Sequence, residues 1–238
     1  MSKIHESLVE LKISDGTQMA AFAAKPDGAC HGGVLVFQEA FGVNDHIENI
    51  SRRLAREGYV SIAPELFHRA APAGFEIPYG TDFAVIRPYV ETLTRENVLL
   101  DVQASYDWLK AEIQSDKIGC VGFCMGGNVS FTANSRLPLK AAVSFYGTRI
   151  LQNPDLIPEQ KAPLLLVWGG KDKSTPPEKL KELTDALRAA GKDFINSEFS
   201  EAQHGFNCDD RPAYHAASAA AAWAMTLAFL KNHLDGSR

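Results

Sequence analysis

The sequence predicts an α/β protein with a mostly parallel, twisted sheet covered by helices on both faces. Short apolar runs such as residues 33–37 (GVLVF) alternate with longer segments in which apolar residues recur at helical spacing. A strand buried on both faces is apolar throughout, whereas a strand with one wet face alternates between apolar and polar residues. Because the predicted strands are nearly continuous in apolar character and helices separate them, a parallel sheet between two helical layers is indicated.

The elements follow in a regular order along the chain. It opens with a predicted hairpin, residues 8–13 and 18–24, whose turn is supplied by Asp15-Gly16. The later predicted strands cover residues 33–37, 59–63, 117–123, 141–145, 163–168 and 194–199. The predicted helices cover residues 46–57, 95–112, 125–133, 177–190 and 212–233, and the last is expected to pack its apolar face on the sheet.

One long segment, residues 67–85, is rich in Ala, Pro and Gly and shows no periodicity. A loop of that length inside a compact domain is usually functional. Since the sequence has no internal repeat and no low-complexity linker, we expect a single domain spanning residues 1–238.

The composition excludes several classes of function. The 238 residues are 45% hydrophobic and carry a net charge of −5, a mildly acidic balance that argues against a nucleic-acid surface. No apolar run approaches the roughly 20 residues of a membrane span, and the first residues lack the apolar core of a signal peptide. The four scattered cysteines do not suggest a disulfide framework. We therefore expect a cytoplasmic protein with reduced thiols and no membrane partner.

The most informative stretch is residues 122–127 (GFCMGG), a G-x-C-x-G-G pattern at a predicted strand-to-helix junction. A sharp turn there strains the backbone of Cys124, places its thiol at the top of the sheet and requires small residues two positions away on each side. The helix N-terminus favours a thiolate, and the N–H of Met125 can stabilise an oxyanion. Alternatively, the turn only packs a strand against a helix and Cys124 is a small apolar filler, as we expect for Cys120.

Two partners for this thiol follow later strands. Asp172 comes just after residues 163–168, and His204 comes just after residues 194–199. The order nucleophile, acid, histidine is that of α/β-hydrolases, and such partners lie on loops at the carboxyl ends of parallel strands. Taken alone, Asp172 could be a turn or helix-cap residue and His204 an ordinary loop histidine. Together with Cys124 they indicate an acyl-transfer triad.

The sequence does not indicate a metal or a cofactor. Cys124, His204 and Cys208 could in principle converge on zinc, but no C-x-x-C or H-E-x-x-H companion accompanies the H-x-x-x-C spacing. Phosphate-binding glycine loops are also missing from the sequence, which argues against a nucleotide.

Five stretches together resemble one known family. They are residues 38–44 (QEAFGVN), 63–67 (APELF), 122–127, 168–172 (WGGKD) and 202–206 (AQHGF). On these motifs the chain resembles the dienelactone hydrolase (carboxymethylenebutenolidase) family, over nearly its whole length from residue 33. The resemblance implies the α/β-hydrolase fold and a cofactor-independent hydrolase that opens small lactones or esters through a cysteine acyl-enzyme.

The resemblance also implies roles for individual residues. Cys124 would attack the carbonyl, His204 would act as general base and acid, and Asp172 would orient the imidazole. Glu39 would contact the resting thiol and help to release the thiolate, although it could instead be a structural acid that bonds backbone N–H groups. The implied oxyanion hole consists of two backbone N–H groups, those of Ala40 and Met125.

The substrate-binding residues follow less directly from the resemblance. Family substrates carry a carboxylate that arginines bind, and one of these arginines lies four residues after the histidine, where this chain has Cys208. Arg211, Arg87 and Tyr146 are the candidates for the pocket. This departure leaves dienelactone itself open as the substrate.

Two other functions compete with this interpretation. One is a general carboxylesterase or thioesterase without a preference for anionic substrates. The other is a non-catalytic binding or redox-sensing protein in which Cys124 is an oxidisable thiol. In the favoured interpretation the partner is a small-molecule lactone or ester, and the protein is a monomer or a small homo-oligomer.

Overall fold

The computed structural model describes residues 3–235, so the extreme ends of the predicted domain, residues 1–2 and 236–238, lie outside the described residues. Eight strands form one sheet: β1 (Ile4–Lys12), β2 (Gln18–Pro26), β3 (Gly32–Phe37), β4 (Tyr59–Pro64), β5 (Ile118–Phe123), β6 (Ala141–Phe145), β7 (Leu164–Gly169) and β8 (Phe194–Phe199). Their order is β1-β2-β4-β3-β5-β6-β7-β8. Strand β2 runs antiparallel to both neighbours, and all other adjacent strands are parallel. The predicted mostly parallel sheet is confirmed.

In the described residues, six α-helices accompany the sheet: α1 (Asp45–Arg56), α2 (Phe83–Glu91), α3 (Arg95–Ile113), α4 (Met125–Arg136), α5 (Pro177–Ala189) and α6 (Ala216–Leu234). Helices α1 and α6 cover one face, and α3, α4 and α5 cover the other. Helix α6 begins at Ala216 rather than at residue 212, because the His215 side chain caps it by accepting a hydrogen bond from the Ser218 N–H.

The central strands β3 and β7 are apolar throughout because each one serves two cores. Successive residues of β7, Leu166 and Val167, belong to the cores on opposite sides of the sheet, and Leu35 and Val36 of β3 do the same. This alternation follows from the two-residue period of a strand. Full burial of each such side chain stabilises the fold by about 1.5–3 kcal/mol.

Helix α2 was not predicted from the sequence, which assigned residues 67–85 to a loop. The structure starts the helix at Phe83, where the Asp82 side chain accepts a hydrogen bond from the Ala84 N–H at 2.8 Å. Pro88 lies inside the helix, and Ile86 is its one buried residue. With so little apolar periodicity and an internal proline, the segment carries a weak helical signal.

Residues 65–82, which precede α2, have little regular structure but are fixed over the carboxyl edge of the sheet. The Ile77 N–H donates to the Phe41 carbonyl at 3.0 Å, and the Tyr79 hydroxyl accepts a hydrogen bond from the Asn44 amide at 2.9 Å. This segment therefore borders the region where the parallel strands end.

The loops that carry the predicted site residues lie at this carboxyl edge of the sheet. The strand pairing aligns Phe37 with Gly122, Phe123 with Phe145, and Gly169 with Phe199. Because parallel strands end at the same edge, the residues that follow β3, β5, β7 and β8 are brought together.

Within residues 3–235, no helix combines the length and the hydropathy that a membrane span would need.

Candidate active site

Cys124 occupies a strained turn between β5 and α4. Its backbone has φ 54° and ψ −112°, a conformation that non-glycine residues rarely adopt, and its N–H donates to the Phe145 carbonyl at 3.0 Å. A Cβ on Gly122 would lie 1.9 Å from the Gly126 carbonyl oxygen, and one on Gly126 would lie 2.2 Å from the Phe37 carbonyl oxygen. Backbone atoms cannot move aside, so the turn requires both glycines and presents the thiol at the sheet edge.

His204 and Asp172 are hydrogen-bonded. His204 Nδ1 lies 2.7 Å from Asp172 Oδ2, and Asp172 Oδ1 accepts a hydrogen bond from the Ser174 N–H at 2.8 Å. Burial raises the pKa of Asp172, but the hydrogen bonds to His204 and Ser174 outweigh burial and bring the pKa below its ordinary value. The carboxylate is therefore charged and held in place, so it fixes the orientation of the imidazole.

His204 in turn faces Cys124. Burial lowers the pKa of His204, but the hydrogen bonds to Asp172 and Cys124, together with their charges, raise it to about 10. The imidazole also packs on the buried ring of Tyr146, with the ring centres 5.0 Å apart. The contacts with Asp172 and Cys124 stabilise the protonated form of the imidazole. Cys124 and His204 also line one cavity.

Glu39 is completely buried behind this site. Its Oε1 accepts a hydrogen bond from Arg211 Nη1 at 3.1 Å, and its Oε2 has no hydrogen-bond partner among the described residues. The Glu39 carboxylate accepts no hydrogen bond from a backbone N–H group of the described residues. It therefore differs from a structural acid that bonds backbone N–H groups, which the sequence analysis offered as the alternative. Arg211 also lies over the rings of Phe41 and Tyr79. The buried carboxylate thus has one cationic partner and one oxygen free to accept a hydrogen bond.

Two residues with backbone N–H groups that are unpaired within residues 3–235 line the same cavity. Ala40 and Met125 both line it together with Cys124. Ala40 follows β3 and makes no backbone hydrogen bond to a described residue, whereas Met125 is the first residue of α4, where an N–H has no acceptor inside the helix. Such free donors are able to stabilise a negatively charged oxygen.

The three residues predicted to line the substrate pocket occupy different environments. Arg87 is exposed on α2 beside the Phe83 ring and does not line the cavity. Tyr146 is fully buried, and its hydroxyl has no partner among the described residues. Arg211 is bound to Glu39. The structure therefore brings Arg211 close to the predicted triad but leaves Arg87 outside the cavity wall.

The cavity wall includes residues that the sequence analysis missed, chiefly Asn128 and Arg149. Asn128 lies one helical turn after Cys124, and Arg149 follows the end of β6. The rule that placed Asp172 and His204, namely that functional side chains follow strand ends, could have singled out Arg149.

One group of possible metal ligands occurs among residues 3–235, and it differs from the set considered from the sequence. Atoms of His46, Cys208 and Asp209 lie within 4.8 Å of one another. The Cys208 thiol instead donates a hydrogen bond to the Tyr79 hydroxyl at 3.3 Å, and burial raises the pKa of this thiol to about 11. A protonated, hydrogen-bonded thiol is a weak metal ligand.

The chain is similar in sequence to several known proteins. The model of the dienelactone hydrolase family matches residues 19–234. A Yersinia pestis protein named "Putative carboxymethylenebutenolidase" is 37% identical over 238 residues, covering 92% of this chain and 86% of its own. An Escherichia coli K12 protein of the same name is 37% identical over 235 residues, covering 92% and 84%.

A solved structure extends the similarity to three dimensions. The crystal structure of a "Putative Dienelactone Hydrolase" from Klebsiella pneumoniae matches with a TM-score of 0.86 and 32% identity, covering 96% of this chain and 98% of its own. The fold, the matched family model and these relatives lead to one conclusion: the chain belongs to the dienelactone hydrolase family and is a hydrolase with the α/β-hydrolase fold.

Proposed function

We propose that this hydrolase opens small lactones or esters through a cysteine acyl-enzyme on Cys124. The observation that carries the proposal is the 2.7 Å hydrogen bond between His204 and Asp172, with His204 and Cys124 lining one cavity. A thiol at a strained turn beside a carboxylate-oriented imidazole is the arrangement that nucleophilic acyl transfer needs.

The reaction proceeds in two halves. The Cys124 sulfur attacks the carbonyl carbon, and the resulting oxyanion is stabilised by the N–H groups of Ala40 and Met125. The carbon–oxygen bond of the lactone or ester then breaks, and the imidazolium of His204 gives its proton to the leaving oxygen. In the second half His204 takes a proton from water, the hydroxide attacks the thioester, and the sulfur leaves as the thiolate.

Glu39 is assigned to the resting enzyme. Its partner-free Oε2 can accept the thiol proton, and Arg211 offsets the charge of the carboxylate while it remains ionised. The negative carboxylate would disfavour a thiolate beside it and so keep the thiol protonated until substrate binds. Its Oε2 would then take the proton, so that the thiolate can attack the carbonyl. Direct substrate contacts by Arg87, Arg211 and Tyr146 stay predictions, as does a cytoplasmic location.

The names of the relatives favour a lactone among the possible acyl substrates. Two of them are named as carboxymethylenebutenolidases, which are lactone hydrolases. A general esterase would instead cleave neutral esters at least as well as carboxylated lactones, and a redox sensor would oxidise with peroxide without releasing an alcohol from an ester.

The test compares C124A and C124S with the wild type on a dienelactone-type lactone and on para-nitrophenyl esters. We expect C124A to lower kcat/KM by at least about a thousandfold, as when other covalent nucleophiles are removed. C124S should also lose most activity, because an alcohol ionises far less readily than a thiol. Mass spectrometry of the quenched wild-type enzyme should find the acyl group on the peptide that contains Cys124.

Cys30 provides the matched control, because it is an exposed free cysteine far from the elbow in sequence. C30A should retain wild-type activity within about twofold. Full activity in C124A, or an acyl group found elsewhere, would exclude the proposed mechanism.

A further inference from the structure

The cavity that Cys124 and His204 line, here called the catalytic cavity, is small. It measures about 280 Å³, whereas ligand pockets usually enclose roughly 300–1,000 Å³. Two further cavities adjoin it, and each shares wall residues with it. An ester larger than a small lactone therefore has to extend from the reacting carbonyl into these neighbours.

One neighbour is an open groove on the His204 side, lined by the loop after β7 and by the start of α5. Ser174 and His204 line both the catalytic cavity and this groove, which measures about 800 Å³. Its wall includes the exposed rings of Pro176 and Pro177. Because proline rings are apolar and conformationally locked, they offer a fixed surface to an apolar alkyl or aryl group.

The other neighbour, here called the side cavity, runs beside α3, α4 and residues 149–153. It measures about 170 Å³, and the buried side chains of Val98 and Val129 form part of its wall. Four residues line both the side cavity and the catalytic cavity: Val90, Met125, Asn128 and Arg149. Among residues 3–235, the groove and the side cavity have no wall residue in common. They therefore leave the catalytic cavity at two different places.

We propose that the enzyme binds extended acyclic esters in one direction, with the alcohol part in the groove and the acyl part in the side cavity. This inference rests on the proposed acyl-enzyme function and specifies the acyclic substrates of that site as esters with an apolar alkyl or aryl alcohol part. A small lactone fills neither neighbour, because its ring ties the leaving oxygen to the acyl chain.

The proton transfer sets this direction. His204 protonates the leaving oxygen, so that oxygen lies within hydrogen-bond reach of the imidazole, and the alcohol part continues past His204 into the groove. The carbonyl oxygen faces the N–H groups of Ala40 and Met125. The acyl chain is the remaining substituent of the carbon, and it points away from the imidazole, towards the side cavity that begins at Asn128. When the alcohol leaves along the groove, water takes its place beside His204 while the acyl group stays bound.

The experiment compares two isomers, hexyl acetate and methyl heptanoate, in which a hexyl and a methyl group exchange places across the ester group. P177W puts a large ring into the groove, so it should lower kcat/KM for hexyl acetate about tenfold and leave methyl heptanoate within about twofold. Thr132 lines the side cavity but not the catalytic cavity, so T132F should have the opposite selectivity. A pH-stat measures the acid released from both isomers.

Two control variants add the same rings to the same helices outside all three cavities. E178W changes an exposed residue beside Pro177 on α5, and R136F changes an exposed residue one turn after Thr132 on α4. Both should leave both isomers within about twofold of the wild type. P177A removes the proline without filling the groove, so its loss on hexyl acetate should be smaller than that of P177W.

A measurement without any variant follows the alcohol chain in the wild-type enzyme. The value of kcat/KM should rise at least about tenfold from methyl acetate to hexyl acetate, because each methylene that packs in the groove leaves water. A flat series would exclude the groove as the site of the alcohol part.

The outcomes separate the two proposals. Opposite selectivity of P177W and T132F supports the proposed direction. If either variant affects both isomers equally, affects neither, or affects the other isomer, that direction is excluded while the acyl-enzyme stands. If C124A cleaves both isomers like the wild type, the proposed function itself fails.

Discussion

The ionisation of His204 makes the stability of the folded protein depend on pH. Its pKa is raised from 6.5 to about 10, so in the folded protein it keeps its proton where the unfolded chain loses it. The resulting stabilisation is complete below pH 6.5 and disappears as the pH rises through about 10. The pKa of Asp172 is shifted below 3.8, so its contribution is present above that pH and is lost on acidification.

We therefore expect H204Q to lower the free energy of unfolding most near pH 6.5, with the difference from wild type shrinking towards pH 10. Urea unfolding at several pH values between these limits measures the difference. H5Q is the control, since His5 is exposed and its ion pair with Asp27 contributes little. If the loss of unfolding free energy in H204Q stays constant between pH 6.5 and 10, the raised pKa of His204 is contradicted.

Individual residues differ in how well the sequence predicted them. The location of Cys124, Asp172 and His204 at one edge could be predicted, because each follows a predicted strand and strand ends share one edge of a parallel sheet. The pairing of Arg211 with Glu39 could not be predicted, because it depends on how the loop of residues 204–215 folds back over β3. Only the three-dimensional path of a loop determines such contacts.

At the scale of elements, the elbow between β5 and α4 depends on its glycines. A Cβ at Gly126 would meet the carbonyl oxygens of Phe37 and Gln38 at 2.2 and 2.6 Å, and these are backbone atoms at the end of β3 and just after it. G126A should therefore lower the free energy of unfolding by about 2–3 kcal/mol, as overpacking against atoms that cannot yield does.

Urea unfolding measures this loss, and Gly28 provides the matched control. A Cβ at Gly28 would meet nothing within 4 Å, so G28A should change the stability by no more than about 0.5 kcal/mol. Equal effects of the two substitutions would show that the elbow tolerates a side chain.

The sequence predicted the positions of some strands and helices more accurately than others, and the difference follows from how deeply each element is buried. Strands β3, β5, β6 and β7 are buried on both faces, so their sequences are apolar and their positions were evident. Strand β1 lies at the edge of the sheet and is mostly exposed, and its polar first half hid the true start at Ile4. Helix α2 buries one residue, too few to produce a periodic pattern.

At the scale of the whole molecule, the sheet separates two cores that share every central strand. Leu109 of α3 is fully buried in one core, and Leu230 of α6 is fully buried in the other. Because both cores pack on the same strands, we expect them to unfold together, as in the single domain predicted from the sequence.

L109A and L230A should each lower the free energy of unfolding by about 2–5 kcal/mol. Calorimetry should show one transition in each variant, with a lowered Tm. L8A is the control, because Leu8 is 75% exposed on β1 and its truncation should leave Tm nearly unchanged. Two separate transitions, with one core melting alone, would contradict the expected cooperativity.

The distribution of the site over four strand ends also bears on biosynthesis. The thiol of Cys124 follows β5, whereas its imidazole partner arrives only after β8, the last strand to leave the ribosome. Since domains are made from the amino end onward, a nascent or truncated chain carries the sulfur before it carries the base. Such a fragment carries the thiol without its imidazole partner, so the proposed reaction requires at least the chain through His204.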